Sequence, residues 1–162
     1  MSDPRISEVE KACRERGLRL TPLRADVLRL VAESAQPVKA YDVLERIRES
    51  KAISAPPTVY RSLDFLLHNG FIHRLGSMNA FVACSAPHAI HMGTFLICDN
   101  CRSAIEVMDE HVGDLLENRA RTKGFVPHTM TQTLEIHGLC RACSDDIHAC
   151  RTNFRSDPEP SR

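Results

Sequence analysis

Pro56-Pro57-Thr58-Val59-Tyr60-Arg61-Ser62-Leu63-Asp64-Phe65-Leu66-Leu67-His68-Asn69-Gly70 runs directly into Phe71-Ile72-His73-Arg74-Leu75, a turn over 76–79, and Ala80-Phe81-Val82-Ala83. The two prolines begin a helix, where a missing N–H costs nothing because first-turn amides have no intrahelical acceptor. Val59, Leu63, Leu66 and Leu67 recur at helical spacing and predict a buried stripe. Tyr60, Arg61 and Asp64 share the opposite face. Asn69-Gly70 stops the helix, and the two runs around the turn predict a short hairpin. Short helices followed at once by such a hairpin describe a winged helix-turn-helix.

The helices that should precede it are legible upstream. Residues 7–16 form the first, closed by Gly17. Thr21 caps the second with Pro22 in its first turn. Leu23, Val27, Leu30 and Val31 give it one buried stripe, with Arg19, Arg24 and Arg29 off that stripe. A third runs over 40–50, with Val43, Leu44 and Ile47 inward and Tyr41 in its first turn. Residues 52–57 are a linker. In this motif the second helix of the pair lies in the major groove and presents its N-terminal side chains. That is the helix from Pro56. Arg61 has the fork to read a guanine edge. Thr58, Tyr60 and Tyr41 suit phosphates or a thymine methyl, and Arg24 is a further candidate for contact with DNA. The competing reading of any one of these is an ordinary solvated helix face.

Composition changes near Cys84. A loop over 85–93 carries Pro87, His88 and His91. Strands follow over 94–97 and 104–107. Asp109 caps a helix to about Lys123, with Val112, Leu115 and Leu116 inward. A third strand is predicted over 126–136 and a short helix over 141–150. The expected organisation is a DNA-binding domain over 1–83, a metal-binding and dimerisation domain over 84–150, and a disordered polar tail over 151–162. Two knuckles, Cys98-Asp99-Asn100-Cys101 and Cys140-Arg141-Ala142-Cys143, lie 38 residues apart. Four thiolates from two tight turns make a tetrahedron suited to Zn²⁺. Two redox dithiols or unpaired buried cysteines are the weaker alternatives.

The chain has 162 residues, 43% hydrophobic and 26% charged, which allows packed cores and excludes a mostly disordered chain. No apolar run approaches the roughly 18 residues of a membrane span, and the N-terminus lacks a signal-peptide core. Seven cysteines with C-x-x-C spacing and no export signal favour metal binding in a reducing cytoplasm over disulfides. Net charge is zero but uneven. Residues 1–80 hold 13 basic and 10 acidic side chains, and residues 81–162 hold 8 and 11. A mildly basic front half is compatible with a polyanionic partner.

The run from Pro56 to Leu63, the block from Phe71 to Arg74, Arg19-Leu20-Thr21-Pro22, Tyr41-Asp42-Val43-Leu44 and the paired knuckles together resemble the ferric uptake regulator family. Phe95-Leu96-Ile97-Cys98-Asp99-Asn100-Cys101 and His137-Gly138-Leu139-Cys140-Arg141-Ala142-Cys143 are most similar to its zinc-responsive subgroup. The resemblance spans about residues 6–150. It implies an α+β protein: an N-terminal winged helix-turn-helix followed by a small α/β dimerisation domain with a four-cysteine zinc site. It also implies a homodimeric, metal-dependent repressor of zinc uptake genes that binds double-stranded operator DNA, with no catalysis, membrane or small-molecule substrate. Carried over by position, Cys98, Cys101, Cys140 and Cys143 match a structural zinc site. His73, Cys84, His91 and Glu106 match a regulatory zinc site, giving two Zn²⁺ per subunit. Tyr41 and Arg61 match DNA-contacting positions. Spacing alone does not single out the second quartet, but one sulfur, two imidazoles and a carboxylate form a suitable zinc shell.

The same fold tuned to Fe²⁺, Ni²⁺ or peroxide is the nearest rival. The thiolate of Cys84 counts against it, because sulfur favours Zn²⁺ and is an oxidation liability beside redox-active iron. A zinc hydrolase lacks a His-Glu-x-x-His run, and a zinc-ribbon interaction module leaves the Pro56 helix unexplained. Cys13 reads as a small core residue and Cys150 as non-ligating. His88, His111 and His128 read as surface or loop histidines, with a third metal site as the alternative. His137 is expected to orient the second knuckle. Glu45 and Arg48 read as a solvated pair.

Overall fold

The computed structural model describes residues 4–50, 55–89, 91–126 and 133–145. Its first part holds helices α1 (Pro4–Glu15) and α2 (Pro22–Glu33), strand β1 (Val38–Lys39), helices α3 (Ala40–Ser50) and α4 (Pro56–His68), and strands β2 (Ile72–Leu75) and β3 (Ala80–Ala83). The Thr21 hydroxyl accepts the Arg24 N–H at 3.4 Å and so caps α2, with Pro22 in its first turn. α4 ends at Asn69, and Gly70 follows with φ +71°, a left-handed backbone that glycine adopts without a Cβ penalty. The apolar stripes then meet. Val27, Leu28, Val31, Val43, Leu44, Ile47, Val59, Leu63 and Leu66 share one core with Phe71, Ile72 and Cys13.

A strand not foreseen from the sequence completes this part. β1 has two residues, too few for any periodicity, and pairs antiparallel with β3 to give a sheet ordered β1-β3-β2. Of the predicted linker, residues 52–54 lie outside the described residues, and Pro56 and Pro57 belong to α4.

The second part holds β4 (Gly93–Cys98), β5 (Ala104–Val107), α5 (Glu110–Thr122) and β6 (Thr133–Gly138), with sheet order β5-β4-β6. The Asp109 carboxylate accepts the His111 N–H at 2.9 Å and caps α5. β4 pairs antiparallel with β5 and parallel with β6. Described strand structure in the predicted 126–136 segment starts at Thr133 and runs on to Gly138. Residues 127–132, including His128, lie outside the described residues. So do 146–162, which hold His148, Cys150, the tail and the rest of the segment predicted as a helix over 141–150.

The register divides this sheet into two unlike faces. Glu106, Phe95 and Glu135 form one cross-strand row. Phe95 is buried, and its ring stands edge-on to the ring of His73 on β2. Ile105, Leu96 and Ile136 form the adjacent row on the opposite face. All three are open, at 58%, 44% and 50% exposure. The expectation for α5 is corrected here. Leu115 and Leu116 do not point into a core of this chain but are 57% and 42% exposed. The helical stripe is present in the sequence, but among the described residues nothing buries these two leucines.

An open apolar row is the kind of surface a second copy of the chain would cover. Ile105→Lys should therefore leave each chain folded, since it replaces an exposed side chain. Light scattering should read a monomer where the unaltered protein reads a dimer.

Candidate metal centres

The parallel pairing of β4 with β6 carries both knuckles to one edge of the sheet. Cys98 ends β4 opposite Gly138, two residues before Cys140, and the Asp99 N–H donates to the Gly138 carbonyl at 2.8 Å. The first knuckle turns tightly. Arg102 N–H donates to the Cys98 carbonyl at 2.9 Å, and Arg102 itself sits at φ +62°. The sulfurs of Cys98, Cys101, Cys140 and Cys143 lie within 4.8 Å of one another, with Cys101 and Cys140 at 3.8 Å. Four sulfurs each about 2.3 Å from one tetrahedral centre stand about 3.8 Å apart, so the spacing fits Zn²⁺. The Cys140 N–H donates to Cys98 Sγ at 3.3 Å. That amide, followed by the Cys101 amide, holds the Cys98 thiol down to about 6, ready to ligate as thiolate. His137 Nδ1 meets Asp99 Oδ1 at 2.9 Å and so ties β6 to the first knuckle.

A second cluster joins the two parts of the chain. His73 comes from β2, Cys84 from the end of the wing, His91 from the following loop and Glu106 from β5. Their ligand atoms lie within 4.8 Å of one another. His73 Nε2 and His91 Nε2 stand 3.1 and 3.0 Å from Glu106 Oε1. Cys84 Sγ lies 3.7 Å from His91 Nε2. The His73 contact is out of line for a hydrogen bond, so this buried nitrogen has no hydrogen-bond partner among the described residues. His91 Nδ1 donates to the Ala89 carbonyl at 3.0 Å, which orients the ring so that Nε2 points into the cluster.

The electrostatics point the same way. Burial opposes ionisation of Glu106, but contacts with His73 and His91 and two donations from Ser85 outweigh it and bring its carboxyl to about 2. Ser85 supplies both its N–H and its hydroxyl to Glu106 Oε2, each at 2.7 Å. Burial, with help from the Glu106 charge, pushes the Cys84 thiol up to about 12. An ionised carboxylate thus sits among two imidazole nitrogens and a buried sulfur. A shared cation reconciles them, and two nitrogens, one sulfur and one carboxylate are a zinc donor set.

Four of the five proposed DNA-reading residues are exposed. Thr58, Tyr60 and Arg61 are exposed on α4, and Tyr41 is exposed on α3. Arg61 has no partner among the described residues. The Tyr41 hydroxyl hydrogen-bonds Glu45, which raises its pKa. Arg24 stands apart from them: its guanidinium lies 3.5 Å from the Phe65 ring centroid and donates to the Arg19 carbonyl at 2.6 Å. It packs α2 against α4. His88 and His111 are exposed and join no cluster among the described residues, and Cys13 is core.

The sequence profile of the ferric uptake regulator family matches residues 15–137. The chain belongs to that family. The zinc uptake regulation protein of Escherichia coli (strain K12) is 40% identical over 147 residues, 90% of this chain and 84% of that protein. Holo XcZur is 57% identical and superposes with TM-score 0.79 over 86% of this chain and 96% of that one. Apo XcZur, at 55% identity over 86% and 95%, gives only 0.50. A zinc uptake regulator complexed with zinc and DNA is 38% identical with TM-score 0.81, over 92% of this chain and all of that one. This member of the ferric uptake regulator family therefore has the overall shape of the holo and DNA-bound relatives.

Two contributors carried no motif in the sequence. Ser85 is one. Arg16 is the other: its guanidinium donates at 2.9 Å to both the Asn69 carbonyl at the end of α4 and the Pro87 carbonyl in the loop before His91. Both act through backbone groups, which spacing cannot reveal. Gly93 is a third position fixed by closeness, because a Cβ there would meet His73 Nδ1 at 2.8 Å and the Phe95 ring at 2.7 Å.

Gly93→Ala should displace His73 and weaken metal binding at the second cluster by about 10–100-fold, the usual cost of disturbing a ligand's support, while the four-cysteine metal stays bound. Chelator competition reads both. Cys140→Ser should release the four-cysteine metal and unfold the second part, seen as lost β-sheet circular dichroism.

Proposed function

We propose that this protein is a zinc-responsive, DNA-binding repressor of zinc uptake genes that acts as a homodimer in the cytoplasm. The observation that carries the reading is the second cluster. Its donors come from both sides of the junction between the winged helix and the second sheet. Two Zn²⁺ per subunit are proposed, one structural at the cysteines and one regulatory at His73, Cys84, His91 and Glu106. Both clusters offer four protein ligands and no open position, so neither supports hydrolysis. The Escherichia coli relative and the zinc- and DNA-bound relative supply the target class. No helix among the described residues is long and apolar enough to cross a membrane.

Bound zinc would supply the positive charge that lets four lone-pair donors from two lobes share one point. The chain's own residues transmit that convergence. His73 lies on β2, which follows α4 after a tight turn held by the Phe71 N–H to Leu66 carbonyl bond at 2.9 Å. The Cys84 N–H donates to the Phe71 carbonyl at 3.1 Å, and Arg16 fixes Asn69 to Pro87. His73, Cys84 and the DNA-reading helix therefore move as one piece. Holding that piece against the second sheet sets where the two α4 helices of a dimer stand. Zinc biases this arrangement only by its differential affinity for the closed form.

The test begins by selecting duplexes from a random pool at buffered free zinc, then titrating the winners. Binding should follow free zinc and weaken steeply with salt, as phosphate contacts dictate. Cys84→Ser should raise the free zinc required by about 100-fold or more, since losing a ligand exceeds the 10–100-fold cost of losing its support. Unchanged zinc dependence in that variant would remove the second cluster from the mechanism.

A further inference from the structure

The mechanism above does not use the other end of the buried cross-strand row. Glu106 on β5 and Glu135 on β6 flank Phe95 in a single register line. All three grip the wing. Glu106 contacts His73 and Phe95 packs against the His73 ring. Glu135 reaches the turn just past β2, where its Oε1 accepts the Gly76 N–H at 2.6 Å and its Oε2 accepts the Ser77 N–H at 3.2 Å. Two consecutive backbone amides cradling one carboxylate make a small anion nest. The Thr133 hydroxyl donates to the Arg74 carbonyl at 3.1 Å beside it. His137 Nε2 stands 3.8 Å from Glu135 Oε2 while its Nδ1 holds Asp99, so the chain of contacts continues to the first cysteine knuckle.

We propose that Glu135 is a positioning residue that latches the wing to the second sheet and thereby sets how much free zinc the protein requires. The inference rests on the reading that the His73 cluster takes zinc. None of the latch atoms belongs to either metal cluster, so the latch contributes to the closed form whether or not metal is present. The apparent affinity of a ligand that binds only the closed form falls by the fraction of molecules already closed. A chain without the latch is closed less often, and zinc must supply the difference. Glu135 offers one oxygen to each amide. Glutamine has a single acceptor oxygen and can keep only one of the two bonds.

Full-length Glu135→Ala and Glu135→Gln are compared with the unaltered protein. Zinc uptake at the second cluster is followed without DNA by chelator competition, and binding to the selected duplex is followed across buffered free zinc. The half-saturating free zinc in both assays should rise about tenfold in the alanine variant, the scale of a hydrogen bond to a charged acceptor, and less in the glutamine variant. Duplex affinity at saturating zinc and the four-cysteine zinc content should stay as in the unaltered protein. Unchanged midpoints would overturn the latch, and so would a loss confined to duplex affinity at saturating zinc. The near-isosteric glutamine variant carries the test if the alanine variant does not fold. If the unaltered protein binds duplex without regard to zinc, the repressor reading fails, while the DNA-free uptake shift still decides the latch.

Discussion

The parallel pairing of β4 with β6 is the constraint from which the rest of the second part follows. Parallel strands cannot be joined by a tight turn, so β5, α5 and the connecting segments must lie between them. Closing so long a stretch costs loop entropy before any sheet contact is gained. The two cysteine knuckles sit at the same end of these two strands. A metal shared by them would clip the pair shut at the point where the chain is most expensive to close. That is why the knuckles are far apart in sequence yet adjacent in space, unlike a minimal zinc ribbon.

Once β6 is fixed beside β4, the alternation of side chains does the rest. One face receives the charged and aromatic row that meets the wing, and the other receives the apolar row left open to a partner. A one-residue slip of β6 would exchange Glu135 for Ile136, burying an isoleucine beside Phe95 and turning the carboxylate outward. Register therefore couples two functions. The same strand presents the surface for assembly on one side and the grip on the DNA-binding part on the other. A metal shared by the knuckles would fix both.

Much of this was legible because it rests on local rules. Thr21-Pro22, the α4 stripe, Asn69-Gly70 and Asp109 are local signals, and each element begins or ends where they place it. The cysteine pairs were legible from spacing alone. The second quartet was not, since His73, Cys84, His91 and Glu106 are scattered over four segments and only a family resemblance drew them together. Ser85, Arg16 and Glu135 escaped both routes because their partners are backbone groups or an oxygen of another chain segment. The error over Leu115 and Leu116 has a single cause. Periodicity reports that a face must be buried but not which molecule covers it.

The choice of donors in the second cluster bears on how a weak signal becomes decisive. Cys84 is held as a neutral thiol by burial, while Glu106 is held ionised by Ser85 and the two imidazoles. A metal must displace the thiol proton to gain the sulfur, so hard cations that bind oxygen well gain little from the site. Zn²⁺ recovers that cost because its bond to sulfur is strong. The carboxylate meanwhile keeps one negative charge buried at the junction, held there by Ser85 and the two imidazoles. A neutral buried thiol beside an ionised carboxylate makes the site selective for a cation that bonds sulfur as well as oxygen. With donors drawn from both parts of the chain, one such ion would bias the angle between them.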